Sequence, residues 1–331
     1  MKVNNLMLRV FIVIISLVTI CGISAGQTLN EAKEAFNNGV SAIQSNNLEE
    51  AIVHFNQCME IYSKIGGADS IEAGEMIVLI ELKLPALYYQ IAMELYNEKK
   101  LDEAIEKFEQ TVSVADKYND SAIREKASKI IPQLYYMRAG NKYGNDDFEG
   151  ALADYDKAIE LDPDYAKAYY MKSLLHKKLE DEAGFIESTR KAIELGGKIN
   201  DESVVSKAKE SGSKYFLVKG NEAKSAGKNE DAIKYVELAL EFDNTDPVSY
   251  YILASVYNLL NNYDKAIEAA NKALSNEADD PAQKARIYYE LANALKEKGE
   301  NEKACNAYKK ATYGAYKDAA EYQIQHVLNC E

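Results

Sequence analysis

The sequence predicts an all-α array of roughly seven helical hairpins, and three observations predict it. Small residues recur in three columns at a fixed spacing, no stretch alternates with the period of two that a strand requires, and the composition suits helices throughout. The chain has five prolines, no tryptophan and 47% hydrophobic residues.

The columns are clearest between Pro132 and Pro163. With Pro132 as place 1, small residues fall at places 8, 20 and 27 (Ala139, Ala151, Ala158) and large ones at 4, 5, 17 and 24 (Tyr135, Tyr136, Phe148, Tyr155). Antiparallel helices approach to about 8–10 Å only where the facing side chains are small, and aromatics then fill the groove beside the contact. Place 20 recurs as Ala51, Ala104, Ala151, Ala232, Ala266 and Ala304, with Phe185 in the degenerate unit that starts at Ala166. Place 8 reads Gly39, Ala92, Ala139, Ser173, Gly220, Ala254 and Ala292; place 27 reads Cys58, Thr111, Ala158, Ala192, Ala239, Ala273 and Ala311.

This three-column agreement resembles the tetratricopeptide repeat, a hairpin unit with a period of about 34 residues. The resemblance implies a right-handed superhelical solenoid whose first helices line a concave, partner-binding surface. It is similar to exported tetratricopeptide proteins of Gram-negative bacteria. That likeness implies protein–protein interaction, with a groove presenting side chains to an extended peptide or a partner's helix.

In chain order, residues 1–26 carry Lys2 and Arg9, then the apolar run VFIVIISLVTICGIS, then small residues at Ser24, Ala25 and Gly26. This is the layout of a secretory signal peptide cleaved after Gly26, and the apolar run is short for a membrane span of about 20 residues. A retained anchor is the rival, and would be the chain's one contact with a membrane. Ile20 before Cys21 argues against a lipidated cysteine. Export places the mature chain in the periplasm or cell envelope.

The array occupies 27–313. Its first unit is expected to have a first helix near Asn30 to Ser45 and a second near Leu48 to Lys64, closed by Gly66-Gly67, with Asp69 or Ser70 as the next cap. The place-20 spacing stretches to 53 and then 47 residues before the second and third units, so their first helices start early. Pro85 and Pro132 remove an N–H there, and a kink or break is expected at each. Leu195-Gly196-Gly197 closes the fourth unit, Lys198 to Asp201 form a loop, and 202–226 form another lengthened first helix. In the last unit the surplus lies around Asp279-Asp280-Pro281. Residues 314–331 have the apolar spacing of a terminal helix that caps an open end.

The formal net charge is −14, and setting aside Lys2 and Arg9 leaves −16 for the remainder. Such a surface repels phosphate backbones, so nucleic acid is excluded as a partner. The charge either keeps a long solvated array soluble or steers a basic partner.

Five Tyr-Tyr pairs stand at places 4 and 5 of the first helices, and helical neighbours point about 100° apart, so the two members of a pair have different roles. Place 4 packs inward. In the tetratricopeptide family places 2, 5, 9 and 12 line the concave surface, so by resemblance Phe36, Tyr89, Tyr136, Tyr170, Tyr251 and Tyr289 form a ladder that either contacts ligand or packs between first helices. Met93, Tyr96, Tyr143, Lys177, Asn221, Lys224, Asn258, Asn293 and Lys296 surround it. A tyrosine ladder suits extended peptide, or alternatively a stacked sugar ring of a glycan or cell-wall fragment. The partner-binding set is Tyr89, Tyr136, Tyr143, Tyr170, Lys177, Asn221, Tyr251, Tyr289 and Asn293. The family's carboxylate clamp is absent: its places hold Leu217, Asn221, Ile252, Arg286 and Glu290 in units five to seven.

No catalysis is expected. His54, His176 and His326 belong to different parts of the chain, and no His-x-x-x-His, Cys-x-x-Cys or glycine-rich phosphate loop occurs, so no metal or cofactor is assigned. Once the signal is removed, Cys58, Cys305 and Cys330 remain. Cys305 on the last second helix and Cys330 at the end of the cap should meet, and a disulfide closing about 25 residues contributes about 3 kcal/mol by constraining the unfolded chain. Cys58 occupies a small-residue packing place and is expected to be a buried thiol.

Overall fold

The computed structural model describes residues 25–65, 69–278 and 280–330. The signal-peptide assignment and the Gly66-Gly67 terminator lie outside the described residues, as do the side chains of Asp69 and Ser70 on which their capping role depends. Among the described residues there is no strand. Fourteen of the helices among these residues pair into seven hairpins: α1 (Ala25–Gln44) with α2 (Leu48–Tyr62), α3 (Asp69–Asn97) with α4 (Leu101–Lys117), α5 (Ser121–Gly144) with α6 (Phe148–Leu161), α7 (Ala166–Lys178) with α8 (Glu182–Lys198), α9 (Glu202–Ser225) with α10 (Asn229–Phe242), α11 (Pro247–Leu259) with α12 (Tyr263–Asn276), and α13 (Pro281–Glu297) with α14 (Asn301–Lys310).

The described residues up to Arg138 form one compact unit and those from Ala139 form a second. In the first unit, Ala51, Ala104 and Cys58 are fully buried at the small-residue places. Gly39 shows why size matters there: a Cβ on it would lie 2.5 Å from Phe55 Cε1. Ala73–Asn97 is long and apolar enough to cross a membrane; Ile80, Leu84, Leu87 and Ile91 are buried in the protein, while Val78, Leu79 and Leu82 are exposed.

The surplus residues before the second, third and fifth hairpins do become extra N-terminal turns of α3, α5 and α9. The break considered at the prolines does not occur, because Pro85 and Pro132 lie inside the continuous helices α3 and α5. Both rings are buried, and the apolar neighbours Leu84, Leu87, Ile131 and Leu134 hold each helix through the missing N–H.

In the second unit, Ala151, Ala232, Ala266 and Ala304 are all fully buried. Lys142 Nζ lies 2.8 Å from Asp154 Oδ2, joining α5 to α6. Where the alanine column fails, Phe185 fills the space: it is fully buried, 4.7 Å from the Tyr215 ring and 5.9 Å from that of Phe216, so an aromatic cluster replaces the close helix contact. Gly196 and Gly197 do not end α8, which runs on to Lys198. Gly196 serves packing instead, since a Cβ there would meet Val205 Cγ2 at 3.0 Å.

A fourth column appears only in the structure. Asn46, Lys99, Asp146, Glu180, Gly227, Asn261 and Gly299 all have φ between 57° and 79°, and all stand at place 15 of their windows. In every case the next N–H donates back across the helix end, as Asn47 does to the Ala42 carbonyl at 2.8 Å and Asp181 to His176 at 2.9 Å. The left-handed residue thus satisfies carbonyls that the ending helix leaves orphaned and turns the chain into the second helix. Several following helices are capped by carboxylates: Asp147 accepts from Gly150 N–H, Asp181 from Gly184 and Asp201 from Val204. Asp246 and Asp280 cap α11 and α13, each just before a proline at the first helical position.

The terminal cap is not one regular helix. It is a 3-10 turn over Gly314–Tyr316, a short helix α15 over Lys317–Tyr322 and a π turn over Gln323–Val327. Ala320 is buried in the core shared by the last three hairpins, and Ile324 and Leu328 pack half-buried against it.

Candidate functional site

The candidate residues lie on the first helices, and the caps and turns described above fix their rotation. In the first unit the ladder members serve packing: the Phe36 ring lies 5.9 Å from Phe55, and Tyr89 meets Phe108 edge-on at 5.7 Å. Each contact joins place 5 of a first helix to place 24 of its own second helix. Tyr136 is half-buried, and burial raises its hydroxyl above the usual range.

In the second unit Tyr143 packs on Phe148 at 5.8 Å, Tyr170 joins the cluster around Ala166, Leu195 and Val204, and the exposed Lys177 holds its Nζ 5.6 Å from the Tyr215 ring centre. Asn221 is exposed on α9. Tyr143, Tyr170 and Lys177 make these contacts rather than joining the group nearer the C-terminus, whereas Asn221 lies one helical turn from Lys224 of that group.

That group centres on Tyr251 of α11 and Tyr289 of α13, both at place 5. Lys224 Nζ sits 5.3 Å and the Arg286 guanidinium 5.0 Å from the centre of the Tyr251 ring. Each cation is held by the negative face of the ring. Arg286 also reaches Glu277 at 3.5 Å. Asn258 Nδ2 donates to both the main-chain oxygen and the carboxylate of Glu290, at 2.9 and 2.8 Å. Tyr289 meets the ring of fully buried Tyr308 at 5.6 Å, and Tyr308 donates its hydroxyl to Asn293 Oδ1 at 2.6 Å. Asn293, expected to face a partner, therefore uses its carbonyl to satisfy a buried phenol.

The chain itself fills the space in front. Tyr316 places its hydroxyl 3.0 Å from that of Tyr251 and its ring 5.3 Å from Tyr289. Lys296 Nζ donates to Gln323 Oε1 at 3.4 Å. Burial, then the bond with Tyr316, raises the Tyr251 hydroxyl well above the ordinary phenol range. Burial also lowers the Lys224 ammonium, against the opposing pull of Glu290. A phenol raised in this way stays protonated at neutral pH, where it can hold hydrogen bonds and exclude water.

Sequence reasoning misses Tyr316, and it treats Glu290 only as a residue of the wrong sign. Nothing periodic marks Tyr316, which lies beyond the last repeat. The expected pairing of Cys305 with Cys330 is present, with the Cα atoms 5.7 Å apart. Cys58 is a buried free thiol, and burial raises its pKa. Among the described residues no group of three or more His, Cys, Asp or Glu side chains is placed to hold a metal ion.

The chain matches family descriptions over more than half of its length: a TPR repeat over residues 143–179, and tetratricopeptide repeats over 217–284 and over 85–118, 166–195 and 285–313. A TPR repeat-containing protein of Methanocaldococcus jannaschii is 24% identical over 288 residues, covering 84% of this chain. The chain spans only 42% of that relative's length. Among solved structures, MamA is 22% identical and covers 60% of this chain and 97% of its own, with a TM-score of 0.33. A tetratricopeptide repeat protein from Parabacteroides merdae is 16% identical and covers 91% of this chain and all of its own, at 100%, with a TM-score of 0.30. YrrB, described as a TPR protein with an unusual peptide-binding site, is 22% identical and covers 63% of this chain and 94% of its own, with a TM-score of 0.32.

Proposed function

Because the chain belongs to the tetratricopeptide repeat family, we propose that it is a non-catalytic scaffold that binds a protein or peptide segment on its first-helix face, in the periplasm or at the cell envelope. The observation that carries this is the seat of Tyr316: the face around Tyr251 and Tyr289 already holds a polypeptide segment, the chain's own. A sugar ring needs an open aromatic plate to stack on, whereas Tyr289 lies against the rings of both Tyr308 and Tyr316. Polypeptide is thus favoured over glycan. The leader-like residues 1–26 and a disulfide between Cys305 and Cys330 support an oxidising compartment.

Partner capture tests this. Wild-type chain and an Asn221→Ala/Lys224→Ala variant are used to retain proteins from envelope extracts. Retention of a defined protein by the wild type, lost in the variant, supports a scaffold using this face. Retention of polysaccharide instead, or identical capture by both, contradicts it.

A further inference from the structure

The C-terminal tail is fastened more firmly than it is packed. From Gly314 to Cys330 only Ala320 is fully buried, while Tyr322 is 58% and Val327 44% exposed. Its backbone is a 3-10 turn, six residues of α-helix and five of π-helix, too short to persist alone. Yet the half-buried Cys305–Cys330 bridge ties its end to α14. Within this shallow tail Tyr316 reaches inward, onto two first-helix tyrosines at equivalent places of successive hairpins.

Resting on the scaffold reading above, we infer that the Tyr251–Tyr289 notch is a subsite for a tyrosine side chain of a partner polypeptide, with Tyr316 as its resident occupant and the disulfide keeping it seated. The chemistry of the notch selects the residue. Tyr289 offers a ring to lie against, and the Tyr251 hydroxyl offers a partner for a phenol; a phenylalanine would leave that half-buried hydroxyl unsatisfied. The flanking Gly314-Ala315 defines the segment further. Gly314 has φ 53°, a left-handed conformation that glycine adopts without strain, so the entering backbone turns tightly.

A short tether holds its end at an effective concentration in the millimolar range, which an outside segment must overcome. Opening the bridge removes one of the two tethers, leaving Tyr316 held to α14 through residues 311–315 alone and so easier to displace. A dithiol does so by two thiolate exchanges: the first thiolate attacks one sulfur and forms a mixed disulfide, and the second thiolate displaces it. Cys305 and Cys330 are then two protonated thiols, and the dithiol has become a cyclic disulfide, so two electrons and two protons have moved.

The test uses the full chain and a fluorescently labelled synthetic peptide of residues 311–325, ATYGAYKDAAEYQIQ, with binding read by anisotropy. Affinity is expected to be at least about tenfold higher after dithiothreitol treatment, and in a Cys330→Ser variant, than in the oxidised wild type. It is expected to fall by about the same factor when the peptide carries Tyr316→Ala. Should Cys330→Ser fail to fold, Tyr316→Ala in the oxidised full chain vacates the notch without touching the bridge and is expected to admit the wild-type peptide. Equal affinity for closed and opened forms, no binding to the opened form, or indifference to Tyr316 in the peptide would overturn the inference. If partner capture through Asn221 and Lys224 persists in that event, only the notch assignment falls; if both fail, the scaffold reading falls with it.

Discussion

Gly220 of α9 and Val236 of α10 approach so closely that a Cβ on the glycine would lie 2.5 Å from Val236 Cγ2. The contact is the repeat's defining one, a first helix touching its own second helix through a missing side chain. Gly220→Ala gains about 1 kcal/mol of helix propensity but overpacks the contact by about 1–3 kcal/mol, so a net loss of stability is expected. At Gly140, on α5, an added Cβ would meet nothing within 4 Å, and Gly140→Ala is expected to stabilise by about 0.5–1 kcal/mol. Urea unfolding of both variants checks the pair, and the same sign for both would contradict the assignment of Gly220 to a contact.

Glu180 adopts φ 58° at the end of α7, a conformation that costs an L-residue about 1–2 kcal/mol. Glu180→Gly is expected to stabilise the chain by up to about 1 kcal/mol, after the greater unfolded-state entropy of glycine is allowed for. Lys99→Gly should behave alike, since Lys99 has φ 61° at the same place. A lowered thermal midpoint in either variant would contradict the role of that column.

Asp181 caps α8 by accepting the Gly184 N–H at 3.0 Å, and also meets His176 Nδ1 at 2.8 Å. The Gly184 bond first, with His176 assisting, holds its carboxyl below the usual range. A carboxyl depressed in the folded chain contributes stability above its unfolded pKa of about 3.9, and that contribution is lost as pH falls through the folded value. Asp181→Ala is therefore expected to cost about 1 kcal/mol at pH 7, with the gap to wild type closing below about pH 4. Thermal melts across that range check it; a gap that widens in acid would contradict it.

The Cys305–Cys330 bridge closes a segment with a sequence separation of 25. Cys330→Ser is expected to cost about 3 kcal/mol. Hydrogen exchange should rise first in residues 314–330, whereas unchanged protection there would show that the tail's own packing suffices.

The sequence carries the alanine columns plainly because a helix contact of this kind admits only side chains that are almost absent, so Ala51, Ala151 and Ala266 are legible without coordinates. The lengthened first helices follow from the same spacing. Place 15 is legible only in part: Asn46, Asp146, Gly227, Asn261 and Gly299 are types that favour a left-handed conformation, but Lys99 and Glu180 are not. Pro85 and Gly196 mislead because each carries a local signal, and burial among Leu84 and Leu87, or against Val205, outweighs it. At the site, periodicity locates Tyr251 and Tyr289 but not Tyr316, which lies beyond the last repeat and reaches them through the fold of the tail.

The most direct measurement places a photoreactive residue at Lys177, exposed on the first helix α7, or at Lys191, exposed on the second helix α8. Irradiation of the full chain with its captured protein partner should yield a crosslinked adduct from the Lys177 position and none from Lys191. Adducts from Lys191 alone, or equally from both, would contradict binding on the first-helix face.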